Sequence, residues 1–159
     1  MKKFVFSLCL AAAAAAPVRP TWATIPQTET NATTSSGKVI AMDREMFIKE
    51  VFDYTQNTNE WKFEGKKPAI IDFYATWCGP CRRVAPILKE LAEQYKDHVV
   101  IYKVDTDQEK ELSAAMGIQS LPTILFIPMN GEPQVLVGAA DKATFERAIR
   151  EVLLAKPQP

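Results

Sequence analysis

From residue 38 to residue 155 the apolar positions fall into two alternating patterns. Short apolar runs of strand length occur at "KVIAM" (38–42), "PAIIDFYA" (68–75), "HVVIYKVD" (98–105), "TILFI" (123–127) and "PQVLVG" (133–138). Longer stretches between them repeat apolar residues at spacings of three and four, the period of a helix with one buried face. Asp43 precedes one such stretch, Arg44 to Tyr54, with Met46, Phe47, Val51 and Tyr54 on the apolar side. A second runs from Arg82 to Tyr95 and contains Pro86, which predicts a kink. A third follows Asp107, from Gln108 to Met116, and stops at Gly117; a fourth follows Asp141 and reaches about Leu154. "MNGE" (129–132) reads as a hairpin turn. The predicted order is β-α-β-α-β-α-β-β-α. Alternation at the front implies parallel strands, and the late hairpin adds an antiparallel edge. The expected fold class is α/β, a mixed central sheet of about five strands with helices on both faces.

The first 37 residues follow neither period. Met1-Lys2-Lys3 is a short positive start, and Phe4 to Ala16 is an unbroken apolar run closed by Pro17. As a helix that run spans roughly 20 Å, short of a hydrocarbon core about 30 Å thick. These features predict a secretory signal peptide over residues 1–23, cleaved after Ala23, with a second cleavage site near Ala16. Cys9 lies inside the apolar run behind Leu8, which does not suit a lipid anchor, so it reads as a small hydrophobe of the signal. Residues 24–37, "TIPQTETNATTSSG", are rich in Thr, Ser, Asn and Gln and read as a flexible linker. The folded domain is expected over 38–155, followed by a short tail, 156–159. With 19 basic and 19 acidic residues, the chain has no basic excess to draw it to nucleic acid. Cleavage would remove Lys2, Lys3 and Arg19 and no acid, leaving 16 basic residues against 19 acidic, a net charge of −3.

The mature chain would keep two of three cysteines, Cys78 and Cys81, in "WCGPC". Three uses compete for them. A zinc site takes four protein ligands, or three with an open position, and the chain adds only His98, which has no partner at ligand spacing. A structural staple over so short a loop restrains the unfolded chain little. Thiol–disulfide exchange suits the placement. Cys78 stands where a strand ends and a helix starts, where unpaired backbone N–H groups and the helix dipole favour a thiolate. Gly79 admits close approach by another chain, and Pro80 fits a first helical turn. Cys78 is then expected to be the exposed nucleophile, with Cys81, one turn in, as the resolving thiol. Asp72 interrupts an otherwise apolar strand. A buried carboxylate is costly, and such groups concentrate at functional sites. The acidic run Asp105–Glu111 reads as helix capping rather than a metal loop.

The segment "DFYATWCGPCRRVAPIL" resembles the strand, active site and kinked helix of the thioredoxin family. "YKVDTDQEKELSAAMGIQSLPTILF" is similar to the family's third strand, third helix and fourth strand, and "NGE" and "VGA" match its hairpin and the turn beyond. The resemblance covers about 38–155 and implies the thioredoxin fold. It implies that Pro122 forms a cis peptide bond beside the active site. Leu121, Pro122 and Thr123 would line a substrate groove with Trp77, Gly79 and Pro80, facing Val137, Gly138 and Ala139. Asp72 would lie under the disulfide and accept the proton of Cys81, with Lys103 tuning it. Tyr74 stands where many members carry tryptophan, and Tyr54–Lys67 is longer than in short members.

The function so implied is thiol–disulfide oxidoreduction through a reversible Cys78–Cys81 disulfide. It needs no bound cofactor and no metal. Gly-Pro between the cysteines is the reducing type, so the expected direction is reduction of exported, disulfide-containing proteins. Net oxidation or isomerisation is the alternative, and a redox-inactive binding or chaperone module is a third reading, disfavoured by the intact motif. The signal peptide places the protein in a bacterial periplasm. Its electrons would come from a partner, a membrane thiol carrier being the expected kind, and the chain is expected to act as a monomer.

Overall fold

The structure, a computed structural model, describes residues 37–56 and 60–155. The expected signal peptide with Cys9, the linker up to residue 36 and the tail 156–159 lie outside the described residues. Five strands form one sheet: β1 (Val39–Ala41), β2 (Ala69–Tyr74), β3 (Val100–Asp105), β4 (Thr123–Ile127) and β5 (Gln134–Val137), in the order β1-β3-β2-β4-β5. β1, β3 and β2 are parallel; β4 runs antiparallel to β2, and β5 antiparallel to β4. Four helices pack on the sheet: α1 (Arg44–Glu50), α2 (Gly79–Gln94), α3 (Lys110–Ala115) and α4 (Lys142–Ala148). α4 continues through a π-helical turn, Ile149–Leu153.

β2 is central, and its side chains alternate between two cores. Ile71 and Phe73 join Phe47 and Val51 from the α1 side and Leu112 of α3. Ile70 joins Leu88 and Leu91 of α2 with Phe145, Ile149 and Leu153 at the C-terminal end. By the same period-two rule, Asp72 faces the α2 side. Lys103, its neighbour in the β2–β3 ladder, faces that side too. The caps at Asp43 and Asp141 form as expected: each carboxylate accepts the backbone N–H three residues on, from Met46 and Thr144, at 2.8 and 2.9 Å.

The end of α1 and the start of α3 differ from the sequence-based expectation. α1 stops at Glu50 rather than Tyr54. The carbonyl of Val51, which a longer helix would use internally, instead accepts the N–H of Glu64 from the returning chain. Phe52 stacks on Trp61 with ring centroids 4.5 Å apart, and Tyr54 turns back so that its hydroxyl accepts from Arg44 Nε. The described part of the long 54–67 segment therefore packs onto the α1 core through Trp61 and Phe63. α3 starts at Lys110, and Asp107 does not cap it. The Asp105 carbonyl takes the N–H groups of Gln108 and Glu109 in a turn, and the Asp107 carboxylate is engaged elsewhere.

Phe145 is fully buried between β4 and α2, so Phe145→Ala is expected to cost about 3–5 kcal/mol. Asp141→Ala removes one cap on the same helix and is expected to cost about 1 kcal/mol. Urea unfolding of the oxidised protein measures both.

Candidate active site

β2 runs out at Tyr74, and the chain turns within four residues into α2. The turn is held by the N–H of Cys78 on the Ala75 carbonyl at 3.1 Å. Just past the end of β3, the backbone N–H and hydroxyl of Thr106 both donate to the Tyr74 carbonyl, at 2.9 and 3.1 Å. Cys78 is the N-cap of α2, with extended backbone (φ −74°, ψ 109°). Gly79 and Pro80 open the helix, so it starts three residues earlier than its apolar period alone suggests. Proline there sacrifices no hydrogen bond, because first-turn N–H groups have no partner within the helix.

Cys78 and Cys81 are joined by a disulfide, S–S 2.02 Å. Cys78 Sγ also accepts the backbone N–H of Cys81 at 3.2 Å. Sulfur thus takes the place that an Asp or Ser oxygen holds at most helix starts. Exposure does not separate the two residues as expected. Both are 3% exposed, because Ala75, Tyr74 and Leu121 close over the pair. Their surroundings do separate them. Cys78 lines a cleft of about 470 Å³ with Trp77, Gly79, Pro80 and Leu121, whereas Cys81 is not part of its lining.

The Leu121–Pro122 peptide bond is cis. Gly138, at φ +92°, brings its N–H to the Pro122 carbonyl at 2.8 Å, a conformation that a side chain would disfavour. That bond ties the Val137–Ala139 turn to the proline. Val137 lies beyond it, 63% exposed on the edge strand. Thr123 is buried, and its hydroxyl donates to the Ser120 carbonyl at 2.7 Å, so its side chain is engaged within the loop. The cleft wall includes Thr106 and Ile118–Ser120, which sequence reasoning missed. Their one signal is position, in the "GIQS" between a helix-ending glycine and the Leu-Pro pair. Trp77 stands 68% exposed at the rim, and its indole N–H donates to Asp107 at 2.9 Å.

Asp72 is 4% exposed, and its Oδ1 has no hydrogen-bond partner among the described residues. Burial pushes its carboxyl up from 3.8 to about 7; the positive charge of Lys103 pulls the other way and does not prevail. The Lys103 ammonium also lies 5.6 Å from the Tyr74 ring centre. Asp72 does not line the cleft. It lines a separate cavity of about 300 Å³ with Val39, Ala85, Leu88, Lys89 and Lys103.

Residues 49–151 match the family model described as Thioredoxin. A thioredoxin of Borreliella burgdorferi is 51% identical over 112 residues, covering 70% of this chain and 95% of that protein. A crystal structure of chloroplastic thioredoxin z, 28% identical, superposes with a TM-score of 0.61 over 72% of this chain and 93% of that one. A mutant thioredoxin from Halobacterium salinarum NRC-1 shares the fold at 24% identity, with a TM-score of 0.60 over 76% of this chain and 96% of that one.

The Asp72 carboxyl makes stability depend on pH. Below pH 3.8 it is neutral in folded and unfolded chains alike; from there to about 7 only the unfolded chain ionises. The stability contributed by the neutral acid is therefore full at low pH and lost as pH rises through about 7. At pH 8 Asp72→Asn is expected to be the more stable protein by up to about 4 kcal/mol, and well below the unfolded pKa, near about pH 3, the two should be equal. Denaturant unfolding at both pH values reads the difference.

Proposed function

The chain belongs to the thioredoxin family of thiol–disulfide oxidoreductases, and on that premise we propose that it is an exported reductase of protein disulfides. Cys78 is the nucleophile, Cys81 the resolving thiol and Asp72 the acceptor of the Cys81 proton. The observation that carries the assignment is the hydrogen bond from the Cys81 N–H to Cys78 Sγ at the start of α2. A thiolate at that position keeps this donor and gains the positive end of the helix, which lowers its pKa and holds it ready to attack. Cys81 has no such position, and attacks only after a base removes its proton.

The reaction has two steps. Cys78 thiolate attacks a substrate disulfide, a mixed disulfide forms, and one substrate thiolate leaves. Cys81 then loses its proton to Asp72 and attacks Cys78 Sγ. The Cys78–Cys81 disulfide forms, the second substrate thiolate departs, and two electrons have passed to the substrate. Trp77, Gly79, Pro80 and Leu121 form the docking cleft, with Pro122 and the Val137–Ala139 turn along its edge. Lys103 partly offsets the burial that weakens Asp72 as an acid. Thr123 supports the loop through its bond to Ser120.

Export rests on the Lys2-Lys3 start, the Phe4–Ala16 apolar run and the small residues before Thr24. The substrates are then disulfide-containing proteins of the periplasm, and the reductant is supplied across the membrane by a thiol carrier. The reducing direction rests on the Gly79-Pro80 pair. Its measure is the reduction potential against glutathione, expected near the about −270 mV of thioredoxin; a value near −120 mV would make the protein an oxidant.

Cys78→Ser is expected to abolish reduction of a model disulfide protein when dithiol is supplied, and activity surviving it would refute the assigned nucleophile. Cys81→Ser is expected to accumulate mixed disulfides in cells, with exported proteins as the trapped partners. Asp72→Asn should slow the resolving step about ten- to a hundredfold in stopped-flow measurements and leave the first attack unchanged.

A further inference from the structure

β5 is an edge strand of the sheet, with β4 as its one neighbour. Which of its backbone groups face β4 follows from a single bond. The Gly138 N–H donates to the Pro122 carbonyl at 2.8 Å, and this pair continues the register in which Val137 faces Thr123. Bonded and non-bonded pairs alternate along an antiparallel ladder. Leu136 and Gln134, opposite Ile124 and Phe126, therefore turn their N–H and C=O groups toward β4. Val135 and Val137 turn theirs outward, away from the sheet. Among the described residues, no backbone bond outside the ladder takes these outward groups.

The side chains follow the same alternation. Leu136 is half-buried against the core of α2 and α4. Val135 and Val137 point to the opposite face, where they are 59% and 63% exposed. On that face Ile118 and Leu121, two residues of the cleft wall, pack against the core that contains Leu125, the β4 partner of Val135. An apolar shelf thus starts at the cleft and leads away along β5. Sheet edges are ordinarily guarded by charge, proline, a bulge or short length. The other edge strand, β1, has three residues and follows Lys38. β5, "QVLV", contains no charge and no proline, and its register with β4 runs without a bulge.

We infer that the substrate's own chain, beyond the disulfide held in the cleft, adds to β5 as a sixth strand. This reading rests on the proposed reduction of protein disulfides. The substrate cysteine meets Cys78 in the cleft. The chain leaving it passes Leu121–Pro122 and the Gly138 turn, which the Gly138–Pro122 bond holds at the head of β5. It then runs along the open edge. Its N–H and C=O groups pair with those of Val135 and Val137, and every second side chain lies on the valine shelf. The occupant is an extended, uncharged segment with β-branched or aromatic residues at alternate positions. A helix cannot take this place, because its backbone groups are already bonded within it. The edge therefore favours disulfides that are flanked by an extended apolar run.

Synthetic disulfide peptides test the added strand. A short peptide spans the disulfide alone; longer ones carry a Val/Thr run of about six residues, roughly 20 Å when extended, on either side of the cysteine. Extension on one side is expected to raise kcat/KM about tenfold, the worth of one or two net hydrogen bonds. N-methylation of every second residue of the run removes donors from one edge of the peptide. One phase should erase the gain and the other should spare it; a gain that both spare, or both erase alike, would overturn the added strand. Val135→Pro removes an outward N–H and leaves the β4–β5 bonds in place. It should lose the gain and keep the short-peptide rate, and a full gain in this variant would overturn the inference. In Cys81→Ser with the long peptide coupled to Cys78, amide exchange at Val135 and Val137 should slow about tenfold or more, with Leu136 unchanged. Protection of both valines in the free protein that vanishes on dilution would show a second copy at the edge and overturn the inference. If the short peptide is not reduced, the reductase reading falls and this one with it. If it is reduced and neither extension raises the rate, only the sixth strand falls.

Discussion

A helix start leaves backbone N–H groups that need an acceptor, and in this protein the acceptor is sulfur. Cys78 Sγ takes the N–H of Cys81, and the geometry around the site follows from that one contact. β2 must end at Tyr74 so that Cys78 can cap α2, and the Thr106 bonds to the Tyr74 carbonyl hold that end in place. Gly79 and Pro80 then start the helix without side-chain bulk or a wasted donor. An oxygen cap would hold the helix as well. Only sulfur would let the same atom, in the proposed reaction, leave the cap to bond a substrate and return.

The second constraint is the carboxylate in the middle of the sheet. β2 is buried on both faces, and five of its six residues are apolar or aromatic. Asp72 takes the one position on the α2 side where a hydrophobe would otherwise extend the core. Keeping an acid there lowers stability progressively as pH rises from 3.8 to about 7, because over that window only the unfolded chain ionises freely. A group poised at that value can both take and release a proton near neutrality, which a surface aspartate cannot do. In the proposed mechanism, the stability given up at this position supplies a base for the second chemical step.

Much of this was legible in the sequence, for local reasons. The strands are apolar runs bounded by Pro, Gly or charge, and β4 falls on the "TILFI" run residue for residue. Asp43 and Asp141 cap because each precedes a helical period with no competing partner. The misses arise where a distant segment claims a local group. Glu64 takes the Val51 carbonyl and ends α1 early. Trp77 takes the Asp107 carboxylate, so a residue that reads as a helix cap becomes a support for the cleft rim. Thr123 reads as a cleft residue until Ser120 is seen to hold its hydroxyl. The equal burial of the two cysteines depends on Tyr74 and Leu121 closing over them, which no spacing along the chain reveals. The second cavity is likewise a product of packing between α2, β1 and β3.

The central claim is that the helix start, through its contact with Cys78 Sγ, makes the two thiols chemically unequal. Alkylation of the reduced protein across pH, with each cysteine followed by mass spectrometry, tests it most directly. Cys78 should be modified first, with a midpoint clearly below the about 8.5 of a free thiol, and Cys81 should react only at higher pH. Equal midpoints, or Cys81 reacting first, would contradict the account.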